Sequence, residues 1–512
     1  MKRSSGILLA VSSLPSPYGI GTLGKAAYDF ANFLHAAGQT YWQMLPLGPT
    51  SYGDSPYQSF STFAGNPYFI DLELLIQDDL LTEEEVKACA WGTEPRYVDY
   101  GKIYESRFSL LQKAKRRGWT RDQGKITTFV TENIRWLPDY ALFMACKRYF
   151  GMRSWLEWPD EKLRLRDTAT LEKYREKLRE DVEFFTYLQF LFYRQWNALR
   201  EYLHKKEIQV IGDLPIYVAM DSADVWSEPE FFQLDEKGFP TAVSGVPPDY
   251  FTADGQLWGN PLYDWDKMKS DGYGWWIRRI DGAGKLYDII RIDHFRGLDS
   301  YWAVPYGEKT ARNGIWQKGP GMDLIRVLTG WFPQIPFIAE DLGYPTPGVA
   351  QLLRDSGWPG MKVLQFAFDS RDSSGYLPHT YDSHCICYTG THDNAPLQLW
   401  REEAEAADIA YAVEYLGLNE QEGFNRGIIR GGMSSVAELF ISTMQDYLNL
   451  GRYHRMNTPG NPVGNWQWRL LPGETGDALA SQIRAMTEMY GRCEKLSEEG
   501  PSSGTEVAVP LS

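Results

Sequence analysis

The sequence predicts an α/β protein built on a (β/α)8 barrel, with large insertions between the strands and no β-sandwich after the barrel. A strand, a helix and a second strand follow one another between residues 7 and 45, which is the spacing of a βαβ unit with parallel strands. Six further short apolar segments recur downstream, and they bring the number of predicted strands to eight. Eight parallel strands favour a closed barrel.

The predicted strands are short apolar segments separated by helical or irregular sequence. They are residues 7–11, 41–45, 208–212, 287–292, 336–339, 361–366, 385–389 and 439–444. Between the first two, apolar residues recur at helical spacing on one face. These residues are Phe30, Phe33, Leu34 and Ala37. Gly38 follows them and suits the end of that helix.

The uneven spacing of the strands predicts insertions into a single catalytic barrel that spans residues 1–512. The longest, 73–206, is charged and predicted to be mainly helical, and it contains a long amphipathic helix. The apolar face of that helix consists of Phe185, Leu188, Phe192, Leu199 and Leu203. A second insertion, 220–284, is rich in Gly, Pro, Trp and Asp, and we predict a loop-rich segment that covers the cleft. Residues 494–512 are predicted to be a loose tail.

Composition excludes several classes of function. The 512 residues include 52 Lys and Arg against 67 Asp and Glu, a net charge of −15, which disfavours binding to nucleic acid or anionic membranes. The five cysteines are irregularly spaced and do not suggest a disulfide framework, so we expect a cytoplasmic enzyme. The 19 Trp, 31 Tyr and 24 Phe suit either a carbohydrate ligand or a large core.

Carboxylates follow four of the predicted strands. They are Asp213, Asp293, Glu340 and Asp393. Because the carboxyl ends of barrel strands form the active site, we expect these side chains to converge on one mouth. A pair of carboxyls at separated strand ends is what glycoside chemistry requires.

Two of these carboxylates have neighbours that suggest different protonation. Arg291 and Asp293 share a face of their strand, which suits an ionised nucleophile or, alternatively, a structural ion pair. Glu340 follows a dry apolar strand, and desolvation together with a nearby charge such as Asp393 would raise its pKa, as a general acid needs. Asp341 points to the opposite side, and either Glu340 or Asp341 could face the site.

Two histidines stand beside these acids. His294 and His392 could donate hydrogen bonds to sugar hydroxyls as neutral imidazoles, or they could bind a divalent metal. Because the sequence contains neither an HxH nor an HExxH element, we favour sugar binding. The residues therefore predict a glycosidase-like barrel enzyme.

Several long motifs, in order along the chain, identify a family. They are Gly6-Ile7-Leu8-Leu9, Ser13-Leu14-Pro15-Ser16-Pro17-Tyr18-Gly19-Ile20-Gly21, Gly53-Asp54-Ser55-Pro56-Tyr57-Gln58, Ala64-Gly65-Asn66-Pro67, Gly245-Val246-Pro247-Pro248-Asp249-Tyr250-Phe251, Gly255-Gln256-Leu257-Trp258-Gly259-Asn260-Pro261 and Asn465-Trp466-Gln467-Trp468-Arg469. With these motifs the chain resembles the amylomaltases, the 4-α-glucanotransferases or disproportionating enzymes of the α-amylase clan, over nearly its whole length.

The resemblance implies residue roles. Asp293 matches the nucleophile, Glu340 the general acid/base, and Asp393 a third carboxylate that binds ring hydroxyls. Arg291 would orient the nucleophile. The other implied substrate-binding residues are Asp213, His294, His392, Asp249, Tyr250, Phe251, Gln256, Trp258, Tyr57, Ser55 and Asn465.

The resemblance also implies the reaction. A retaining double displacement through a covalent glucosyl-Asp intermediate would transfer α-1,4-glucan segments from maltooligosaccharides, amylose, or starch or glycogen breakdown products to another glucan or to glucose. Retention predicts carboxyls about 5–5.5 Å apart. No metal or organic cofactor is expected. The main alternative is an α-1,4-glucan hydrolase such as an α-amylase, which the short chain after the eighth strand disfavours; a non-catalytic glucan-binding protein would not need the three carboxylates.

Overall fold

The structure, a computed structural model, describes residues 2–51, 53–248, 253–343, 346–369, 371, 375–461 and 463–495. The strands of this part of the chain are β1 (Ser4–Leu8), β2 (Tyr41–Gln43), β3 (Gln209–Pro215), β4 (Ala242–Val246), β5 (Gln256–Pro261), β6 (Ile289–Asp293), β7 (Ser300–Pro305), β8 (Ile315–Lys318), β9 (Phe337–Ala339), β10 (Gly360–Val363), β11 (Cys385–Tyr388) and β12 (Leu439–Thr443).

Eight of these strands form one parallel sheet that curls into a nearly closed barrel. Their order is β10-β11-β12-β1-β2-β3-β6-β9. The two ends of the sheet meet where the Ala339 amide donates to the Pro359 carbonyl at 3.0 Å, at the junction of β9 and β10. Apolar side chains such as Ile211, Ile338 and Ile441 form a core cluster inside the barrel. The predicted (β/α)8 barrel is confirmed.

All eight predicted strands are present, but the first was misplaced. It spans Ser4–Leu8 instead of 7–11, and Val11–Ser13 forms a short 3-10 helix. The sequence misleads here because Ser4 and Ser5 are polar yet buried, and both pair with β12. Gly6 allows β1 and β2 to approach closely, because a Cβ at this position would lie 2.6 Å from Cβ of Tyr41.

The α-helices surround the barrel and fill the insertions. They are α1 (Lys25–Ala36), α2 (Leu72–Gln77), α3 (Glu83–Lys87), α4 (Tyr100–Gly118), α5 (Gln123–Glu132), α6 (Leu137–Tyr149), α7 (Glu161–Arg164), α8 (Thr168–Lys177), α9 (Arg179–Lys205), α10 (Ala223–Ser227), α11 (Trp265–Ser270), α12 (Gly274–Leu286), α13 (Met322–Trp331), α14 (Pro347–Ser356), α15 (Leu397–Glu403), α16 (Ala406–Leu416), α17 (Phe424–Ser434), α18 (Met444–Tyr447) and α19 (Asp477–Met489).

Helix α9 ties the segment 73–206 to the barrel. Its predicted apolar face is buried along the whole helix. Gln189, also buried, accepts a hydrogen bond from the Gly65 amide at 2.7 Å and donates to the Gly65 carbonyl at 2.9 Å. These bonds fix the loop after β2, which carries Ser55 and Tyr57, against a rigid helix.

The segment 220–284 is not the loop that its composition predicts. It contains α10, α11 and α12, and its strands β4 and β5 join β7 and β8 in an antiparallel sheet of order β5-β4-β7-β8. Its glycines serve turns and an irregular strand: Gly255, at φ 65°, comes directly before β5, and Gly259, at φ 76°, lies within β5 where the pairing with β4 shifts register. The high Gly and Pro content therefore reflects turns and a strand irregularity and not a lack of regular structure.

Other features concern the whole described chain. Its helices include none that is long and apolar enough to span a membrane. Its five cysteines are free thiols, and Cys146, Cys385 and Cys387 are buried. The predicted tail lies outside the described residues beyond Lys495.

Candidate active site

A cleft of about 1570 Å³ opens at the carboxyl ends of the barrel strands. Asp293 ends β6, Glu340 follows β9, and His392 and Asp393 follow β11, and all four line this cleft. Asp213 lies within β3, and its carboxylate is linked to Asp293 by the guanidinium of Arg291, which donates to both. The structure therefore brings together the four carboxylates that the sequence placed at strand ends.

Arg291 bridges two of these acids. In the parallel register Asp213 lies opposite Arg291, and Nη1 of Arg291 donates to Oδ1 of Asp213 at 2.5 Å and to Oδ1 of Asp293 at 3.0 Å. Arg291 and Asp213 are almost fully buried, with 3% and 1% of their side chains exposed. The opposing carboxylates outweigh the burial and raise the pKa of Arg291 well above its usual range.

Asp293 is held in position by that guanidinium. Burial raises its pKa to about 6, against the lowering effect of the Arg291 charge and with a further rise from the Asp213 carboxylate. The carboxyl is therefore ionised at neutral pH and lies open to the cleft, with Arg291 fixing one of its oxygens.

Glu340, and not Asp341, faces the cleft. Its Oε2 accepts from the His294 amide at 2.7 Å and its Oε1 from the Leu342 amide at 3.2 Å. Burial raises its pKa well above the ordinary value, and the Asp293 charge adds to this despite Arg291. The negative charge that raises the pKa of Glu340 is therefore that of Asp293, whereas the sequence suggested Asp393. Asp341 turns away and accepts from the Met361 amide at 2.8 Å.

Asp393 lies across the cleft in a different environment. Its Oδ1 accepts from Nδ2 of Asn457 at 2.6 Å, and its Oδ2 lies 3.3 Å from Nε2 of His392. Burial alone would raise its pKa, but the His392 charge and the two hydrogen bonds lower it to about 2. Asp393 is therefore a fixed anion, in contrast to Glu340.

The pKa values of the two histidines are shifted in opposite directions. Burial lowers the pKa of His294 to about 4, so its imidazole is neutral as expected, and its ring lies edge-on to Trp258 at 4.8 Å. Burial also acts on His392, but the facing Asp393 outweighs it and the net pKa of His392 is raised. Burial thus favours the neutral imidazole at His294, whereas the Asp393 carboxylate favours the protonated form at His392. The His392 ring stacks on Tyr57 at 5.2 Å.

The remaining predicted residues lie around this centre. Ser55, Tyr57, Gln256, Trp258 and Asn465 line the cleft. The Tyr57 hydroxyl donates to Oδ2 of Asp213 at 2.8 Å. Asp249, Tyr250 and Phe251 lie outside the described residues and remain predictions.

Several residues of the cleft were not predicted. The cleft is also lined by Trp316, Phe366, Tyr376, Asn457 and Trp466. Arg455 donates to the backbone carbonyl of Asp393. Trp466 stands in a motif that the sequence did single out, and Asn457 lies in a Gly-, Pro- and Asn-rich loop just before it, a weak signal for a ligand-facing loop. In the described chain, no group of three or more His, Cys, Asp and Glu side chains is arranged to hold a metal ion.

Known proteins resemble this chain over nearly its full length. A family model described as 4-alpha-glucanotransferase matches residues 9–474. The 4-alpha-glucanotransferase of Clostridium butyricum is 48% identical over 486 residues, which are 94% of this chain and 100% of that protein. The one from Thermus thermophilus is 46% identical over 503 residues, 96% and 99% of the two chains.

Among solved structures, an amylomaltase from Streptococcus agalactiae in complex with acarbose superposes with a TM-score of 0.94. It is 40% identical and covers 96% of this chain and 100% of its own. Identity of this level over whole chains establishes common ancestry and a common fold. The chain belongs to the 4-alpha-glucanotransferase family.

Proposed function

We propose that this chain transfers α-1,4-glucan segments from a donor maltooligosaccharide or starch-like glucan to the 4-hydroxyl of an acceptor glucan or of glucose. One observation carries the proposal: Asp293 and Glu340 line one cleft, where burial raises the pKa of Asp293 only to about 6 but raises that of Glu340 well above its ordinary value. An ionised carboxylate beside a protonated carboxyl is the pair that a retaining glycoside mechanism needs.

In the proposed first step, Asp293 attacks the anomeric carbon and Glu340 protonates the departing O4. Arg291 holds Oδ1 of Asp293, so it orients the carboxylate for attack. The C1–O4 bond breaks as the C1–Asp293 bond forms, and the proton of Glu340 ends on the released glucan. The product is a covalent glucosyl ester of Asp293.

In the second step, the 4-hydroxyl of an acceptor enters and gives its proton to Glu340. The new C1–O4 bond has the same anomeric configuration as the bond that was broken. Aromatic side chains along the cleft, among them Trp258, Trp316 and Trp466, offer faces on which acceptor sugars can pack. An ordered acceptor raises its effective concentration over that of water, which favours transfer over hydrolysis.

Three other side chains would bind the sugar at the cleavage point. Asp393 is a fixed anion and suits the acceptance of hydrogen bonds from ring hydroxyls. The neutral ring of His294 can donate to a hydroxyl, and His392 lies beside Asp393. The segment 220–284, which we propose covers the cleft, supplies Gln256 and Trp258.

Incubation with maltotriose, without added metal and with a chelator in a parallel reaction, tests this function. We expect glucose and a ladder of longer maltooligosaccharides, with little gain in reducing ends. A steady rise in reducing ends would instead identify a hydrolase of the same clan. The described chain after β12 contains helices and no strand up to Lys495, unlike the β-sandwich expected of an amylase.

We also propose a cytoplasmic location. The five cysteines are free, and burial raises the pKa of Cys385 and Cys387 to about 12 and about 11, so these thiols are unreactive. This usage suits a reducing compartment. Fractionation of the source cells, followed by immunoblotting, should recover the protein with cytoplasmic markers, and recovery outside that fraction would refute the location.

A further inference from the structure

The loop that follows α18 contacts the Asp393 segment at several points. The backbone amide of Asn457 donates to the His392 carbonyl at 3.1 Å, and the side-chain amide of Asn457 donates to Oδ1 of Asp393 at 2.6 Å. Nη2 of Arg455 donates to the Asp393 carbonyl at 2.7 Å. Residues 62 and 64 positions apart in sequence are therefore joined through both backbone and side chain.

Arg455 makes this contact rigid. While Nη2 binds the Asp393 carbonyl, Nε donates to the Asn457 carbonyl at 2.7 Å. One planar guanidinium thus holds two segments at a fixed spacing, which the single ammonium of a lysine cannot reproduce. Arg455 therefore fixes the backbone of Asn457, whose side-chain amide donates to the Asp393 carboxylate.

A second anchor comes from the same part of the chain. The buried Asp446 accepts from Oγ1 of Thr389 at 2.6 Å and from the Leu397 amide at 2.8 Å. Thr389 and Leu397 lie on either side of the His392–Asp393 pair. Asp446 therefore holds the two ends of the segment 389–397. Asn457 and Arg455 contact Asp393 itself, within that segment.

We propose that Asn457 and Arg455 are positioning residues that fix the Asp393 carboxylate toward the cleft. The inference rests on the proposed role of Asp393 in binding the sugar as it reacts. With Oδ1 held by Asn457 and Oδ2 near His392, the carboxylate is kept in one rotamer. A carboxylate free to rotate would still bind the ground-state sugar in part but would lose the contacts that strengthen in the transition state.

Turnover of maltotriose by Asn457→Ala and Arg455→Lys tests the inference. We expect kcat to fall about tenfold to a hundredfold, with KM changed much less, because a small misplacement acts mainly on the transition state. Arg452→Ala is the matched control: Arg452 lies on the same loop but is exposed and pairs with Glu402 at 3.3 Å. Its kcat should equal that of the unmodified protein.

A double-mutant cycle decides whether these residues act through Asp393. In an Asp393→Asn background, Asn457→Ala and Arg455→Lys should cause no further loss of kcat, whereas additive losses would overturn the proposal. Unchanged kcat in both single variants, with Asp393→Asn strongly impaired, would also overturn it and leave the proposed function intact. If Asp393→Asn itself keeps full turnover, the assigned role of Asp393 fails. If Asn457→Ala does not fold, Arg455→Lys in the same cycle tests the proposal alone.

Discussion

The His294 amide donates to Oε2 of Glu340 at 2.7 Å because His294 adopts a left-handed backbone conformation, φ 55° and ψ 49°. The next amide, of Phe295, donates to the Glu340 carbonyl at 3.0 Å. The turn after β6 thus holds the acid of the neighbouring strand at two points. The hydrogen bond from the His294 amide lowers the pKa of Glu340 and so partly offsets the burial that raises it.

The left-handed turn predicts an unusual order of stability at position 294. A side chain in this conformation costs about 1 kcal/mol, which glycine avoids. We expect His294→Gly to unfold with a higher free energy than His294→Ala by about that amount, in chemical denaturation. At His379, which lies in a 3-10 helix, the glycine variant should be no more stable than the alanine variant.

His294→Gly and His294→Ala should both lose activity, because both lack the imidazole ring. Each keeps the backbone amide that binds Glu340 but lacks the neutral imidazole, so we expect kcat/KM for maltotriose to fall about five- to tenfold, the value of one hydrogen bond. Equal kcat/KM in both variants and the unmodified protein would show that this ring does not contact the substrate.

The pH dependence of kcat/KM should report the two carboxyls. Asp293 must be ionised, so activity should fall as the pH drops through about 6. Glu340 must be protonated, so activity should fall again as the pH rises through its raised pKa. An acid limb near the ordinary pKa of aspartate would contradict this picture.

A control identifies the group behind the acid limb. The pKa of His294 is about 4, so His294→Gly should leave the position of the limb unchanged. The limb should also move little with temperature, since ionisation of a carboxylic acid takes up little heat, whereas an imidazole would shift it clearly.

Asp213 should affect both stability and that acid limb. Asp213→Asn leaves the buried Arg291 with one carboxylate fewer, and we expect a loss of about 3–5 kcal/mol in the free energy of unfolding. The Asp213 charge raises the pKa of Asp293, so its removal should move the acid limb to lower pH. Tyr57→Phe removes only a hydrogen bond to Asp213, and its limb should stay in place. A limb that moves upward in Asp213→Asn would contradict the assigned charge coupling.

The barrel and its four strand-end carboxylates were predictable because every predicted strand is a short apolar segment and four of these strands are followed by an acid. The start of β1 was not, since Ser4 and Ser5 are buried polar residues that no apolar pattern marks. The sheet of β4, β5, β7 and β8 was hidden because its pairing joins distant segments through turns that look like loop sequence.

The contacts of Asp393 show the same limit within the site. Arg455 and Asn457 reach it across 62 and 64 residues, and no spacing rule links them to the His392–Asp393 pair. The choice between Glu340 and Asp341 also needed the structure, because it depends on the Met361 amide of the next strand.

Trapping of the covalent intermediate tests the central claim most directly. Glu340→Gln cannot deprotonate an acceptor, but a maltosyl fluoride donor needs no acid to leave, so the glycosyl-enzyme should accumulate. Intact mass spectrometry should show one added maltosyl unit, and peptide mapping should place it on Asp293. An adduct on any other residue, or full turnover of maltotriose by Glu340→Gln, would contradict the proposed mechanism.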